Sequence, residues 1–180
     1  MLQGGLMKPS RIYFRAITEQ DLPTLMLWRN NPRIADNILG PIRFISLAHE
    51  RQWLETVLKD KTSVRCAICL KSTDRYIGNI YATGIDSINR TAEMHIFIGD
   101  DKNQGKGYAA ESIKMMIEYL FNEMNIERLE ARIFADNNRS IQLFESCGFK
   151  KEGTHIAAVY KHGHRKTVLS FGLLRTKWEK

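Results

Sequence analysis

Two short stretches of this 180-residue chain hold residue types whose spacing could do chemistry. Gln104 to Ala109 read QGKGYA, between an apolar run and a helical pattern. Glycine frees the backbone where a chain turns sharply or meets something closely, and costs stability inside a helix. Gly105 and Gly107 around Lys106 therefore fit a plain strand-to-helix turn. They equally fit a phosphate cradle, in which backbone N–H groups and a helix N-terminus converge on one anion. The loop is too short for a P-loop and has no Ser or Thr after the lysine to hold magnesium. It also lacks the third glycine of a dinucleotide fingerprint. The second stretch is the C-x-x-C of Cys66 and Cys69, by spacing a dithiol or half a zinc site. Its context SVRCAICLK reads as a strand, where residues three apart face opposite ways. The remaining cysteine is Cys147 and the histidines show no ligand spacing, so no metal is expected.

The elements that must position these residues follow from periodicity. Arg11 to Ile17 alternate as a first strand. Thr18 is a plausible helix cap with Asp21 in the first turn. Leu22, Leu25, Met26 and Trp28 give a helical stripe that Pro32 interrupts. Ser46 caps a second helix with Leu47, Trp53, Leu54, Val57 and Leu58 on one side. Three strands with short turns come next, VRCAICLK, YIGNIYATGID and TAEMHIFIG, so they are antiparallel neighbours. After the glycine loop, Ala110, Ile113, Ile117, Leu120, Phe121 and Met124 recur at helical spacing. RLEARIF is a strand, RSIQLFESCGF a short helix closed by Gly148, and Thr154 to Leu174 a hairpin turning near Gly163. The expectation is one α/β (α+β) domain over 11–180 with a mixed, mostly antiparallel sheet flanked by helices. The helix after the glycine loop crosses between two strands, which can then be parallel. Residues 1–10 read as a flexible extension.

The formal net charge is +7, with a pI near 9.4, so polyanions are attracted. The Lys and Arg residues are spread along the chain, which disfavours nucleic acid as a partner. Such basicity also suits a highly phosphorylated cofactor. No apolar run is long enough to span a membrane or to serve as a signal peptide, which points to the cytoplasm.

QGKGYA resembles the Q/R-x-x-G-x-G/A acyl-CoA signature of the GNAT N-acetyltransferases. DNNRSIQLFESCGF resembles that family's N-x-x-S/A-x-x-x-Y-x-x-x-GF stretch, and the element order is similar from Arg11 to Leu174. The nearest flavour is the branch of ribosomal-protein N-terminal and spermidine acetyltransferases. The resemblance implies acetyl-CoA as cofactor and direct attack by a primary amine in a ternary complex. It implies that Gln104, Gly105, Lys106, Gly107, Tyr108 and Ala109 wrap the pyrophosphate. Ile96, Phe97 and Ile98 would pair their main chain with the pantetheine arm, as in β-augmentation. Asn137 matches the family's asparagine beside that arm, and Ser140 the small position on the next helix.

The reacting amine has a pKa of about 10 in water and must lose a proton. In the resembling branch an acidic residue at the place of Glu93 often accepts it; otherwise Glu93 is an ion-pair partner. His95 lies two residues on and shares the face, for proton transfer or for positioning. The family's tyrosine acid falls at Phe144, which cannot donate a proton. Phe144 either packs beside the cofactor sulfur or belongs to the core. A thiol pKa of about 8.5 makes a thiolate a tolerable leaving group without it.

LWRNNPRI followed by FISLAHE resembles acetyltransferases acting on nucleotide-linked amino sugars. Trp28 would stack on a ring, and Arg29 and Arg33 would meet a diphosphate; otherwise Trp28 packs in the core and both arginines cover the surface. The acceptor is otherwise a peptide N-terminus, or a polyamine held by Glu19, Asp21, Glu50 and Glu55. A homodimer is left open. The competing reading is a non-catalytic acyl-CoA binder or ribosome-associated protein.

Overall fold

The alternating run at the start of the chain forms β1 (Ile12–Ala16). It is the edge of a seven-stranded sheet in a computed structural model that describes residues 10–178. The other strands are β2 (Val64–Leu70), β3 (Tyr76–Asp86), β4 (Thr91–Ile98), β5 (Arg128–Phe134), β6 (Lys150–Lys161) and β7 (His164–Leu174). Their order is β1-β2-β3-β4-β5-β7-β6, with every pair antiparallel except β4 and β5. The crossover between those two is α4 (Tyr108–Asn122), as the glycine loop before it required. Apart from Ser10, the expected extension over 1–10 lies outside the described residues. Ser10 itself donates to Glu111 Oε1 in the first turn of α4 at 2.7 Å, so the folded part begins at least one residue before Arg11.

The first half holds α1 (Leu22–Asn30), α2 (Pro32–Ala35) and α3 (Leu47–Lys59). Pro32 ends α1 because it has no N–H for the preceding turn. Asn31 then caps α2, its Oδ1 accepting from Arg33 N at 3.0 Å. Before α1, Thr18 and Asp21 close a capping box around a 3-10 turn over Glu19–Asp21. Arg15 forks Asp21 at 2.6 and 2.8 Å. Burial pushes the Asp21 carboxyl up, but the bonds from Arg15 and Thr18 outweigh it and hold it below the usual range. The second half holds α5 (Asn138–Ser146) and a final turn, α6 (Arg175–Trp178), that periodicity did not reveal.

Alternation along the strands divides the apolar residues between two faces. Ile80, Met94, Leu129, Ala131 and Phe171 meet Ile113, Ile117 and Phe121 of α4 and Phe144 of α5. Ala67 and Cys69 meet Leu22 and Leu25 of α1 and Leu54 of α3. Cys66 lies on the first face and Cys69 on the second, as two residues three apart on a strand must.

Trp28 is only 9% exposed and packs on Tyr76, with ring centroids 4.6 Å apart. It lies flat over Gly99, where an added Cβ would stand 2.0 Å from Trp28 Cδ2. Gly99 directly follows β4, so this contact sets where α1 sits against the end of that strand. Gly99→Ala should lower stability by about 1–3 kcal/mol through overpacking. The check is a lower urea midpoint at unchanged m value.

Candidate active site

The parallel ladder between β4 and β5 runs only through Thr91↔Arg128, Ala92↔Leu129 and Glu93↔Glu130. Beyond Glu93 the two strands part. Ala92 and Met94 are buried, whereas Ile96 and Ile98 on the same face are only half-buried. The parting leaves an edge of main-chain donors and acceptors open in the middle of the sheet, where an extended amide chain can pair. At the mouth of this gap stands the N-terminus of α4. Gly105 and Gly107 adopt left-handed φ values of 74° and 85°, and Gly107 is the N-cap. The amides of Tyr108, Ala109 and Ala110 precede the first i→i−4 bond of the helix, from Glu111 N to Gly107 O. They are left free for an anion.

Gln104 ties this mouth together. Its Nε2 donates to Ile98 O at 3.0 Å, and its Oε1 accepts from Arg139 Nη1 at 2.8 Å. One side chain thus links β4, the loop and the start of α5; Arg139 was not anticipated from the sequence. Asn137 caps α5, its Oδ1 accepting from Ser140 N at 3.1 Å. Tyr108 lies beneath the Arg11 guanidinium, 4.6 Å from its ring centroid, and Lys106 is exposed. Phe97 points to the opposite sheet face and meets Trp28 edge-on. Phe144 is 3% exposed and packs edge-on against Phe149 at 5.1 Å. Of the two sequence readings for Phe144, this packing is the core one.

Glu93, His95 and Phe97 share the α1–α3 face of the sheet. Arg132, from β5, forks Glu93: Nε donates to Oε1 at 2.9 Å and Nη2 to Oε2 at 2.8 Å. His95 Nε2 lies 2.9 Å from Thr83 Oγ1 and 4.0 Å from Glu93 Oε1. Burial lowers the His95 pKa first. Glu93 opposes this, Arg132 and Arg65 reinforce it, and the net effect holds the imidazole below its ordinary value. Arg128, Glu130 and Arg132 alternate with buried residues along β5, and nothing local in that strand points to Glu93, 39 residues earlier.

Of the two sequence readings for Trp28, the structure takes the core one: the ring is buried against Tyr76 and Gly99. Trp53 lines a cavity of about 310 Å³ with Arg29, Arg43, Phe44, Ile45, His49, Gln52 and Thr56. Trp53 also meets Tyr81 at 6.3 Å, and Tyr81 stands opposite His95 in the β3–β4 register. Arg29 Nη1 bonds both oxygens of the fully buried Glu50, at 3.1 and 3.0 Å. Arg33 pairs with Asp101 at 3.1 Å. None of Glu19, Asp21, Glu50 and Glu55 lines this cavity; Asp21 and Glu50 are consumed by Arg15 and Arg29. The loop between α2 and α3 is held from the far hairpin. Lys161, 4% exposed, donates Nζ to Ala35 O, to Ile38 O at 2.7 Å and to Gly40 O at 3.4 Å.

A gap between central strands with a helix N-terminus at its mouth and an imidazole beside it is a candidate acyl-transfer site, and comparisons with known proteins give the family. Residues 11–150 match the family described as acetyltransferase (GNAT) domain. The uncharacterized N-acetyltransferase p20 of Bacillus licheniformis is 28% identical over 93% of this chain and 95% of its own length. The SPbeta prophage-derived N-acetyltransferase YokL of Bacillus subtilis is 30% identical over 72% and 71%. A spermidine N-acetyltransferase of Vibrio cholerae, solved with CoA and spermine, superposes with a TM-score of 0.88 at 24% identity. That match covers 96% of this chain and all of the other, and shows a shared fold. The chain belongs to the GNAT acetyltransferase family. It is an N-acetyltransferase that takes its acetyl group from acetyl-CoA.

The open β4 edge and the free amides of α4 fit the amide-bearing arm and the diphosphate of that donor. At Gly107 any side chain is strained by roughly 1–2 kcal/mol, because left-handed φ crowds Cβ. Gly107→Ala should therefore weaken CoA binding about tenfold, read by calorimetry, since 1.4 kcal/mol is a factor of ten. Unchanged affinity would remove the loop from the cofactor site.

Proposed function

We propose that this enzyme acetylates a primary amine carried on a negatively charged molecule, and that a nucleotide-linked amino sugar is the acceptor its site fits best. The observation that carries this reading is the make-up of the cavity beside Trp53. Arg29, Arg43 and His49 line it together with the aromatics Phe44 and Trp53, and no carboxylate does. Among the described residues Arg43 has no hydrogen bond or ion pair, and Phe44 is 97% exposed. An arginine without a partner suits phosphate oxygens, and exposed aromatic faces suit a planar base. A polyamine calls for the opposite charge. The spermidine acetyltransferase of similar fold was solved with spermine, so the two proteins are read as differing in this wall of the site.

Within the site, Ile96, Phe97 and Ile98 offer main chain to the pantetheine arm. The amides from Gly105 to Ala109 hold the diphosphate, and Asn137 and Ser140 border the arm. Acetyl-CoA, when bound, supplies a thioester carbonyl and a thiolate leaving group. The residues of this chain hold the amine at the open end of the gap, and Glu93 and His95 form the group that handles its proton. Phe144 leaves the departing sulfur without a tyrosine donor, which a thiol of ordinary acidity tolerates. The unpaired thiols of Cys66, Cys69 and Cys147 fit a reducing compartment, and so a cytoplasmic enzyme.

The test is thiol release from acetyl-CoA with three acceptors: a nucleotide-linked amino sugar, spermidine and a short peptide with a free N-terminus. The expected kcat/KM for the amino sugar is at least about tenfold above the others. Arg43→Gln should raise its KM about tenfold at similar kcat, the effect of one charge-assisted contact. Preference for spermidine, or indifference of the amino-sugar KM to Arg43→Gln, overturns the anionic-acceptor reading.

A further inference from the structure

Both oxygens of Glu93 are engaged by the Arg132 fork, at 2.9 and 2.8 Å. A carboxylate held this way is oriented, and its lone pairs are directed at the guanidinium rather than at an incoming ammonium group. His95 is placed differently. We assign the proton to Nε2, which faces both Thr83 Oγ1 at 2.9 Å and the Glu93 carboxylate at 4.0 Å; in that tautomer the lone pair is on Nδ1, which has no partner among the described residues. The His95 side chain is 39% exposed on the acceptor face, against 20% for Glu93.

We propose that Arg132 is a positioning residue that assigns the proton-accepting role to His95: it occupies Glu93 and leaves the imidazole as the free base on the acceptor face. This rests on the family's acyl-transfer chemistry and not on the identity of the acceptor. The proton balance is simple. One N–H bond of the ammonium breaks, its electron pair stays on nitrogen, and the proton goes to His95 Nδ1 and from there to water. The amine lone pair then forms the C–N bond, the C–S bond breaks with its electron pair leaving on sulfur as a thiolate, and the second N–H proton is lost to water, from which the thiolate is protonated.

The groups facing His95 set its basicity from several directions. Glu93 lies on its own strand, Tyr81 stands opposite on β3, Arg65 projects from β2 and Arg132 from β5. The Arg29–Glu50 pair stands beyond Tyr81 under α1 and α3. Burial and the two arginines lower the His95 pKa, and Glu93 raises it. Removing Arg132 therefore deletes a lowering charge and frees a raising one, so the His95 midpoint must rise. Removing the Glu93 charge must lower it. A base works when deprotonated, so the acid limb of kcat/KM follows the same directions.

The experiment titrates the His95 imidazole by NMR in the wild type, Arg132→Gln, Arg132→Lys and Glu93→Gln. In parallel it records the pH profile of kcat/KM with whichever amine turns over best. The NMR arm needs no acceptor, so failure of the anionic-acceptor reading does not touch it. The expected results are an upward midpoint and acid limb in Arg132→Gln, return toward wild type in Arg132→Lys, and a downward shift in Glu93→Gln. His95→Gln should lose about 100-fold or more in kcat at unchanged CoA affinity, within the usual range for a general base, and Glu93→Gln less. An unmoved His95 midpoint in Arg132→Gln overturns the proposal. So does a larger loss of kcat in Glu93→Gln than in His95→Gln.

Discussion

Three residue pairs hold β4 to β5, and their early end is the constraint around which the molecule is arranged. A parallel pair in the middle of a sheet is ordinarily buried and continuous, because unpaired main-chain groups in an interior are costly. Here the pairing stops at Glu93 while β4 continues to Ile98 and β5 to Phe134. The edge is tolerable because it opens to solvent and because Gln104 takes up Ile98 O. The gap orders the rest. The crossover helix must return over one face, which brings its N-terminus to the mouth of the gap. The residues just past the last pair, from Met94 to Ile98, have no partner on β5.

Charge on the acceptor face is organised by arginines that each engage a carboxylate. Arg15 holds Asp21, Arg29 holds Glu50 and Arg132 holds Glu93, in each case through contacts to both oxygens. A buried carboxylate such as Glu50 would be strongly disfavoured alone, and burial does push its pKa up against the opposing effect of Arg29. The consequence is that Asp21, Glu50 and Glu93 are each matched by an arginine within the protein, whereas Arg43 has no ion pair among the described residues.

Much of this was legible in the sequence, for reasons that can be named. The strand-to-helix loop was readable because two glycines around a lysine have few conformational explanations, and both residues do adopt left-handed φ. The break at Pro32 and the opposite faces of Cys66 and Cys69 follow from local stereochemistry. That the two readings of Trp28 stayed open has an equally physical cause. Helical periodicity shows that a residue is on the apolar stripe, but not that Gly99 lies beneath it, so Trp28 and Trp53 could not be ranked for exposure. The pairing of Glu93 with Arg132 and the bonding of Lys161 to the α2–α3 loop join segments far apart in sequence. No periodicity or cap motif reports contacts of that kind.

The buried ammonium of Lys161 binds three carbonyls of the segment between α2 and Gly40, and His162 beside it meets Asp36 at 2.8 Å. Two regions that would each drift freely as surface insertions are thereby fastened to one another. Lengthening either one alone would strand an ion or a set of carbonyls in a dry environment. Divergence of specificity in proteins built this way must then proceed by paired edits, one in the early connector and one in the late ribbon, rather than by loop exchange at a single locus.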